Sequence, residues 1–330
     1  MTDRIEKQDR RAGELAGGDS GRDGHGGARE RVTPRAKRLS GHAAALASRA
    51  RGIGHAVMIE HTLFSLPLAV VAFLAESGGR PGWRVSLLIL LAVFGARNAA
   101  NALNRLIDSE IDAANPRTAN RDLPAGRVSK KALLAFTVFC GMLFLASAAL
   151  LNPLCLSLVP VAAILIGGYS FTKRFTWLCH WWLGVTCSAA VMGSYLALVG
   201  RFELRFFPLT AGAALWIAGF DIIYATADEA HDKANGIHSA PARFGRRGAL
   251  ALSALSHAGA AFFFALSGRF YGAGPLYYAG VAVAAGILVA EQVLARSGRD
   301  GSIPLAAYTL NQILSPVFMA FAVLDVYTRW

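Results

Sequence analysis

Two acidic stretches carry the residue types most suited to chemistry. In NALNRLIDSEIDAANPRTANR, Asn101–Arg121, the side chains of Asn104, Asp108 and Asp112 recur every four residues. On a helix they share one face. In DIIYATADEAHD, Asp221, Asp228 and Asp232 fall within about 40 degrees of one helical face at roughly 100 degrees per residue. Carboxylates gathered this way repel one another and call for a cation. No thiolate or imidazole cluster accompanies them, so the donors suit a hard ion such as Mg²⁺, which takes one or two carboxylates together with substrate phosphate oxygens. Two such groups facing each other could hold a diphosphate through bridging magnesium.

Cations stand close to both stretches. Arg117, Arg121, Lys173, Arg174 and Arg243 fall in loops between apolar runs and have the chemistry to contact phosphate oxygens. Lys173 and Arg174 fit equally well as ordinary loop charge. Asn101 and Arg97 are counted with the substrate-binding candidates. Arg97 precedes Asn104 by two helical turns on nearly the same face, where it could meet an acceptor carboxylate or a phosphate. The competing role for Arg97 is an intramembrane ion pair with Glu60. Glu60 and His61 could shape an acceptor pocket, although a lone His on an apolar face is more often a hydrogen-bonded core residue. Asn311 reads better as an interhelical hydrogen bond than as a cavity residue. His180, Trp181 and Trp182 read as a helix start at the membrane interface, and no chemistry is assigned to them.

The elements that position these groups follow from composition. The 330 residues are 54% hydrophobic and 16% charged, with a mean hydropathy of +0.41, far too apolar for a soluble domain of this length. Nine apolar stretches approach or exceed the roughly 18–20 residues that cross a bilayer as a helix. They lie near Ala56–Ala75, Val85–Ile107, Ala132–Leu151, Pro153–Phe171, Leu178–Val199, Phe207–Ala227, Ala249–Leu266, Pro275–Val293 and Ile303–Val326. The fold class is thus an all-α polytopic membrane bundle over residues 51–330, behind a basic arm over residues 1–50 that is expected to be disordered. The arm suits an anionic membrane surface or a solvated tail equally well, and it lacks the apolar core of a signal peptide. The net charge of +12 is dispersed into the arm and short loops without a recognition motif, which argues against nucleic acid. The four cysteines fall in apolar segments without metal spacing and read as packing thiols.

Lys/Arg asymmetry places the N-terminus, the Arg117–Lys131 loop, Lys173 and Arg174, and Lys233–Arg247 on the cytoplasmic side. Both acidic stretches then open onto the cytoplasm. Asp108 and Asp228 are 120 residues apart (228 − 108), as are Asp112 and Asp232 (232 − 112). That echo fits two pseudo-symmetric four-helix halves plus a ninth helix.

These residues resemble a known family. Asn104-x3-Asp108-x3-Asp112 followed by RTANRDLPAGR looks like the first signature of the UbiA superfamily of membrane-embedded prenyltransferases, and Asp221-x2-Tyr224-Ala225-x2-Asp228-x3-Asp232 followed by GIHSAPARFG is similar to the second. YSFTKRFTWLCHWWLG, Tyr169–Gly184, resembles the family's third loop pattern. The resemblance extends from about His55 to the C-terminus. It implies nine transmembrane helices in an inner membrane and Mg²⁺-dependent transfer of a prenyl group from a polyprenyl diphosphate to an acceptor. It also implies that Asn104, Asp108, Asp112, Asp228 and Asp232 hold the metal-diphosphate, with Asp108 and Asp228 acting in catalysis, that Asp221 and Tyr224 line the cavity near the reacting carbon, and that Arg121 and Lys173 bind diphosphate oxygens. Arg105 stands where many members have Asp directly after the motif's Asn.

The branch that looks closest makes 4-hydroxybenzoate polyprenyltransferases and a menaquinone enzyme of the futalosine route, both in respiratory quinone biosynthesis. The acceptor is then an aromatic acid, either 4-hydroxybenzoate or a dihydroxynaphthoate. Haem O synthase is an alternative within the family, without a haem-binding histidine pattern here to favour it. A cation-coupled transporter is the alternative from another class. It predicts acids near the bilayer midplane, whereas these acids end apolar runs and precede basic loops.

Overall fold

The computed structural model describes residues 52–57, 62–297 and 301–329, with the side chains of residues 62–65 left aside. The expectations for the arm, for Glu60 and for His61 lie outside the described residues. Every regular element within them is helical. Nine principal helices follow one another: α1 (Thr62–Glu76), α2 (Trp83–Ile107), α3 (Lys130–Leu151), α4 (Val159–Thr172), α5 (Cys179–Val199), α6 (Phe207–Ala225), α7 (Ala240–Phe270), α8 (Pro275–Arg296) and α9 (Leu310–Arg329). Seven helical spans among the described residues are long and apolar enough to cross a membrane, and two shorter apolar helices, Leu66–Glu76 and Val159–Thr172, accompany them.

Local chemistry sets the helix ends. Ser129 caps α3 by accepting from the amide of Ala132, and Ser239 caps α7 by accepting from Ala242, each satisfying a donor that a helix start would otherwise strand. The predicted span Pro153–Phe171 is divided: a short helix Pro153–Ser157 precedes α4, whose first turn contains Pro160. Proline lacks the donor needed to continue the first helix but suits the start of the next. The predicted span Ala249–Leu266 is longer in the structure, because α7 begins at Ala240 and runs through a break at Gly245 (φ 68°, ψ 170°). Only glycine adopts that backbone without strain.

The helices pack pairwise: α2 on α3, α5 on α6, α6 on α7, α8 on α9, and α1 on both α5 and α9. Their shared core contains Leu68, Val191, Tyr195, Trp216, Phe264, Leu314 and Phe318. Large apolar side chains such as Leu134, Phe139 and Ile164 point outward, as a lipid solvent demands. Buried polar groups pair between helices. Trp216 donates to Asn311 Oδ1 at 2.5 Å, so Asn311 makes the interhelical bond expected of it. Gln292 donates to Ser253 Oγ (2.7 Å) and His257 Nδ1 (3.0 Å).

Two loops are pinned by charge. Arg205 bridges Glu203 (2.7 Å) and Glu76 (2.8 Å). In the loop after α2, Asp122 receives His55 Nδ1 and Arg127 Nε, each at 2.5 Å. Burial alone would raise the Asp122 carboxyl, but those two hydrogen bonds outweigh it and hold the group below its ordinary value.

Close helix approach depends on small residues. A Cβ on Gly184 of α5 would lie 2.2 Å from the carbonyl oxygen of Ala214 in α6. Gly184→Val must therefore separate the two helices, and we expect a stability loss of about 1–3 kcal/mol. A thermal melt of the purified variant that matches wild type would contradict this packing.

Candidate active site

Both acidic motifs sit at the same backbone feature. Helix α2 ends at Asp108 (φ −91°, ψ 4°), and the six-residue helix Ser109–Ala114 follows. Helix α6 ends in a tight turn at Thr226–Asp228; Asp228 has φ −103° and ψ 5°, and the six-residue helix Glu229–Ala234 follows. The 120-residue echo is thus a structural one, with Asp112 and Asp232 each buried in its own short helix. Hydrogen bonding survives the first break: Asp108 N donates to Asn104 O and Asp112 N to Asp108 O, both at 2.8 Å. The four-residue spacing therefore still aligns the three side chains.

One cavity of about 280 Å³ gathers the two motifs. Its lining contains Arg97, Asn101, Asn104, Asp108, Asp112, Arg117, Arg121, Lys173, Asp221, Tyr224, Asp228 and Asp232. Of the site residues expected from sequence, Arg174 stands outside the lining but approaches Asp108 at 3.4 Å. Arg243 is exposed and apart from the cavity.

The cations rest on the carboxylates. Lys173 Nζ is 2.7 Å from Asp108 Oδ2, and Arg121 Nη1 is 2.6 Å from Asp112 Oδ1. Arg105, the departure from the motif, lies 3.7 Å from Asp112 Oδ2 and donates from Nε to Ala56 O at 3.2 Å. Across the cavity, Arg117 forms a bidentate pair with Asp228, with Nε donating at 2.8 Å. Arg117 also donates to the Tyr224 hydroxyl at 2.5 Å and lies 4.5 Å above its ring. Burial opposes the charge on Arg117, but the Asp228 bonds prevail and raise its pKa. Among the described residues no cation pairs with Asp232; Ser239 donates to its Oδ2 at 2.7 Å.

The donor set is one that a hard cation accepts. Among the described residues no three His, Cys, Asp or Glu side chains converge as a ready metal cluster. One or two carboxylates from each motif are nevertheless enough for Mg²⁺ when phosphate supplies the other oxygens. Asn104 donates from its amide nitrogen to Asp108 (2.6 Å) and Ser170 (3.3 Å), and among the described residues no hydrogen bond engages its oxygen. Asp112 Oδ2 is buried without a hydrogen-bond partner.

Several groups differ from the sequence reading. His180 stands at the helix start expected of it, but it is buried, and its Nδ1 lies 2.7 Å from Asp221 Oδ2, a contact to which the sequence assigned no chemistry. No local spacing joins two residues 41 apart, so pattern alone could not reveal them. Asn115 also went unnoticed; it donates to Asp228 Oδ1 at 2.9 Å. Arg97 donates to Cys187 Sγ at 2.6 Å, so that thiol is a polar partner as well as a packing group. Asn101 donates to Val57 O at 3.0 Å.

Fold and cavity together define a multi-pass membrane protein whose two acidic motifs share one charged cavity. The UbiA prenyltransferase family profile matches residues 65–321, and the chain belongs to that family. It is 33% identical over 199 residues to the 4-hydroxybenzoate octaprenyltransferase of Aliivibrio fischeri strain MJ11, covering 59% of this chain and 66% of that protein. The corresponding protein of Shewanella loihica is 32% identical over 201 residues, covering 61% of this chain and 68% of its own. The chain thus spans about two thirds of the length of these relatives. Among solved structures, the apo UbiA homolog of Aeropyrum pernix K1 matches with a TM-score of 0.75 and 34% identity, over 81% of this chain and 98% of that one. The Archaeoglobus fulgidus homolog bound to GPP and Mg²⁺ shares the fold, with a TM-score of 0.60 and 20% identity over 84% and 99% of the two chains.

Ser239 joins the α7 cap to Asp232, so Ser239→Ala removes both contacts. A lost cap costs about 0.5–2 kcal/mol. Chemical denaturation should show a loss of at least this size, largely recovered in Ser239→Thr.

Proposed function

We propose that this protein transfers a polyprenyl group from a polyprenyl diphosphate to an aromatic acid, 4-hydroxybenzoate or a dihydroxynaphthoate, in respiratory quinone biosynthesis. The observation that carries the reading is the pairing of loop cations with motif carboxylates inside one cavity. A diphosphate entering that cavity draws Arg117, Arg121, Lys173 and Arg174 toward phosphate oxygens. The carboxylates they release, with the Asn104 oxygen, are then free to hold Mg²⁺ from both sides. Bound Mg²⁺ would neutralise charge on the departing diphosphate. The name of the Aliivibrio relative and the ligands of the Archaeoglobus homolog support the same substrate class.

A second cavity takes the lipid tail. It measures about 290 Å³ and is lined by apolar groups including Ile89, Val93, Phe144, Leu165, Ile166 and Met192. Arg97 lines both cavities. Its position where polar mouth meets apolar channel suits the carboxylate of the acceptor, held by a charge-assisted bond. Asp221 and Tyr224 then flank the reacting carbon. The allylic C–O bond breaks with its electron pair leaving on diphosphate, a ring carbon supplies the electrons for the new C–C bond, and Asp221 accepts the ring proton. The excess of Lys and Arg in the loops near the motifs supports a cytoplasmic mouth and N-terminus.

Purified protein in lipid, supplied with a polyprenyl diphosphate, Mg²⁺ and each aromatic acid in turn, tests the proposal and separates the two acceptors. Asp108→Ala and Asp228→Ala should each lower kcat at least about 100-fold, and chelation of divalent ions should abolish turnover until Mg²⁺ is restored. Wild-type rates in either variant would refute the clamp. Arg97→Ala should raise KM for the aromatic acid about 10-fold or more, the scale of a lost hydrogen bond to a charged group. An unchanged acceptor KM would remove Arg97 from that role.

A further inference from the structure

The site contains a group that the transfer described above does not use. His180 sits in the first turn of α5, with its side chain only 4% exposed. Both ring nitrogens are engaged, and by different elements. Nδ1 lies 2.7 Å from Asp221 Oδ2 on α6. Nε2 lies 3.2 Å from the backbone nitrogen of Ala240, the first residue of α7.

The second contact decides the first. A backbone N–H can only donate, so Nε2 must present its lone pair. The proton of the neutral ring is then on Nδ1, where it is donated to Asp221. Ala240 N–H is also one of the donors that a helix start leaves without an intrahelical partner. A side chain from α5 thus satisfies the amide of α7 and in doing so fixes its own tautomer. With Oδ2 committed to the imidazole, Asp221 has one oxygen, Oδ1, left for the cavity that it lines.

We propose that His180 is the positioning residue of the prenyl transfer: it holds one oxygen of Asp221 so that the other faces the proton leaving the acceptor ring. This rests on the role given to Asp221 above. His180 keeps its own proton throughout, because Ala240 N–H occupies the only nitrogen through which a relay could pass. Asp221 takes the ring proton as the C–C bond forms and loses it to water in the mouth before the next turnover. The same helix start serves both halves of the site: Ser239 holds Asp232, and the next amide, through His180, holds Asp221.

Side-chain geometry provides the test. An Asn amide reproduces the Nδ1 donor of His, whereas a Gln amide reaches the position of Nε2. His180→Gln should therefore keep the Ala240 contact but release Asp221, lowering kcat about 100-fold, the cost of a misplaced reacting group, with KM for the polyprenyl diphosphate unchanged. His180→Asn should regain most of that kcat despite losing the Ala240 contact. Equal loss in His180→Gln and His180→Asn, or wild-type kcat in His180→Gln, overturns the assignment. Asp221→Asn separates the two failures. If it is inactive while His180→Gln is fully active, only the role of His180 falls; if it turns over at the wild-type rate, the role of Asp221 falls as well.

Discussion

Charge neutralisation between distant segments is the constraint on which this architecture rests. A lone ionised group inside a bilayer costs about 2.5–3.5 kcal/mol on insertion scales, and the mouth collects five aspartates. The chain offsets this by bringing a cation or a hydrogen-bond donor to each. Lys173 reaches Asp108, Arg121 reaches Asp112, Arg117 reaches Asp228, Ser239 reaches Asp232 and His180 reaches Asp221. Three of these pairs join groups from different principal helices or from the loops between them, and the Arg117 pair spans the two halves of the fold. The arrangement that makes the carboxylates tolerable also gathers the loop cations around one cavity.

Much of this was legible in the sequence because it is periodic. Apolar runs of spanning length give the helices, and a four-residue spacing gives Asn104, Asp108 and Asp112 a common direction even though the helix breaks at Asp108. The 120-residue echo anticipated two equivalent structures, and both motifs place their middle aspartate at the same kind of break, followed by a six-residue helix. Proline and glycine moved the boundaries. Pro160 divides a predicted span, and Gly245 lets α7 extend through a basic segment that had no apolar period.

What the sequence concealed was the partner of each charged group. Arg97 donates to the sulfur of Cys187, 90 residues away, a partner that no local spacing announces. His180 stands at a helix start beside two tryptophans, as its pattern suggests, but its contact with Asp221 had no signal in the sequence. Such contacts depend on how α5, α6 and α7 converge, and that convergence is set by close approaches such as Gly184 against Ala214, which leave no periodic trace. Arg105 is the converse case: an unexpected charge in the motif, housed at the edge of the cavity against Asp112 and the Ala56 carbonyl.

The pair between Arg117 and Asp228 also bears on how the protein is made. Its members are 111 residues apart in the chain, and synthesis proceeds at about 5–20 residues per second, so Arg117 leaves the ribosome roughly 6–22 s before its partner exists. Asp108 and Asp112 are synthesised early as well, and Arg121 is ready for Asp112 almost at once, while Asp108 waits for Lys173. The first half therefore enters the bilayer with one acidic residue already matched and one arginine still hydrated at the surface. Only when Asp228 follows can the match be completed, so the ion pair between the halves can close only once both have been inserted with their charged ends on one side.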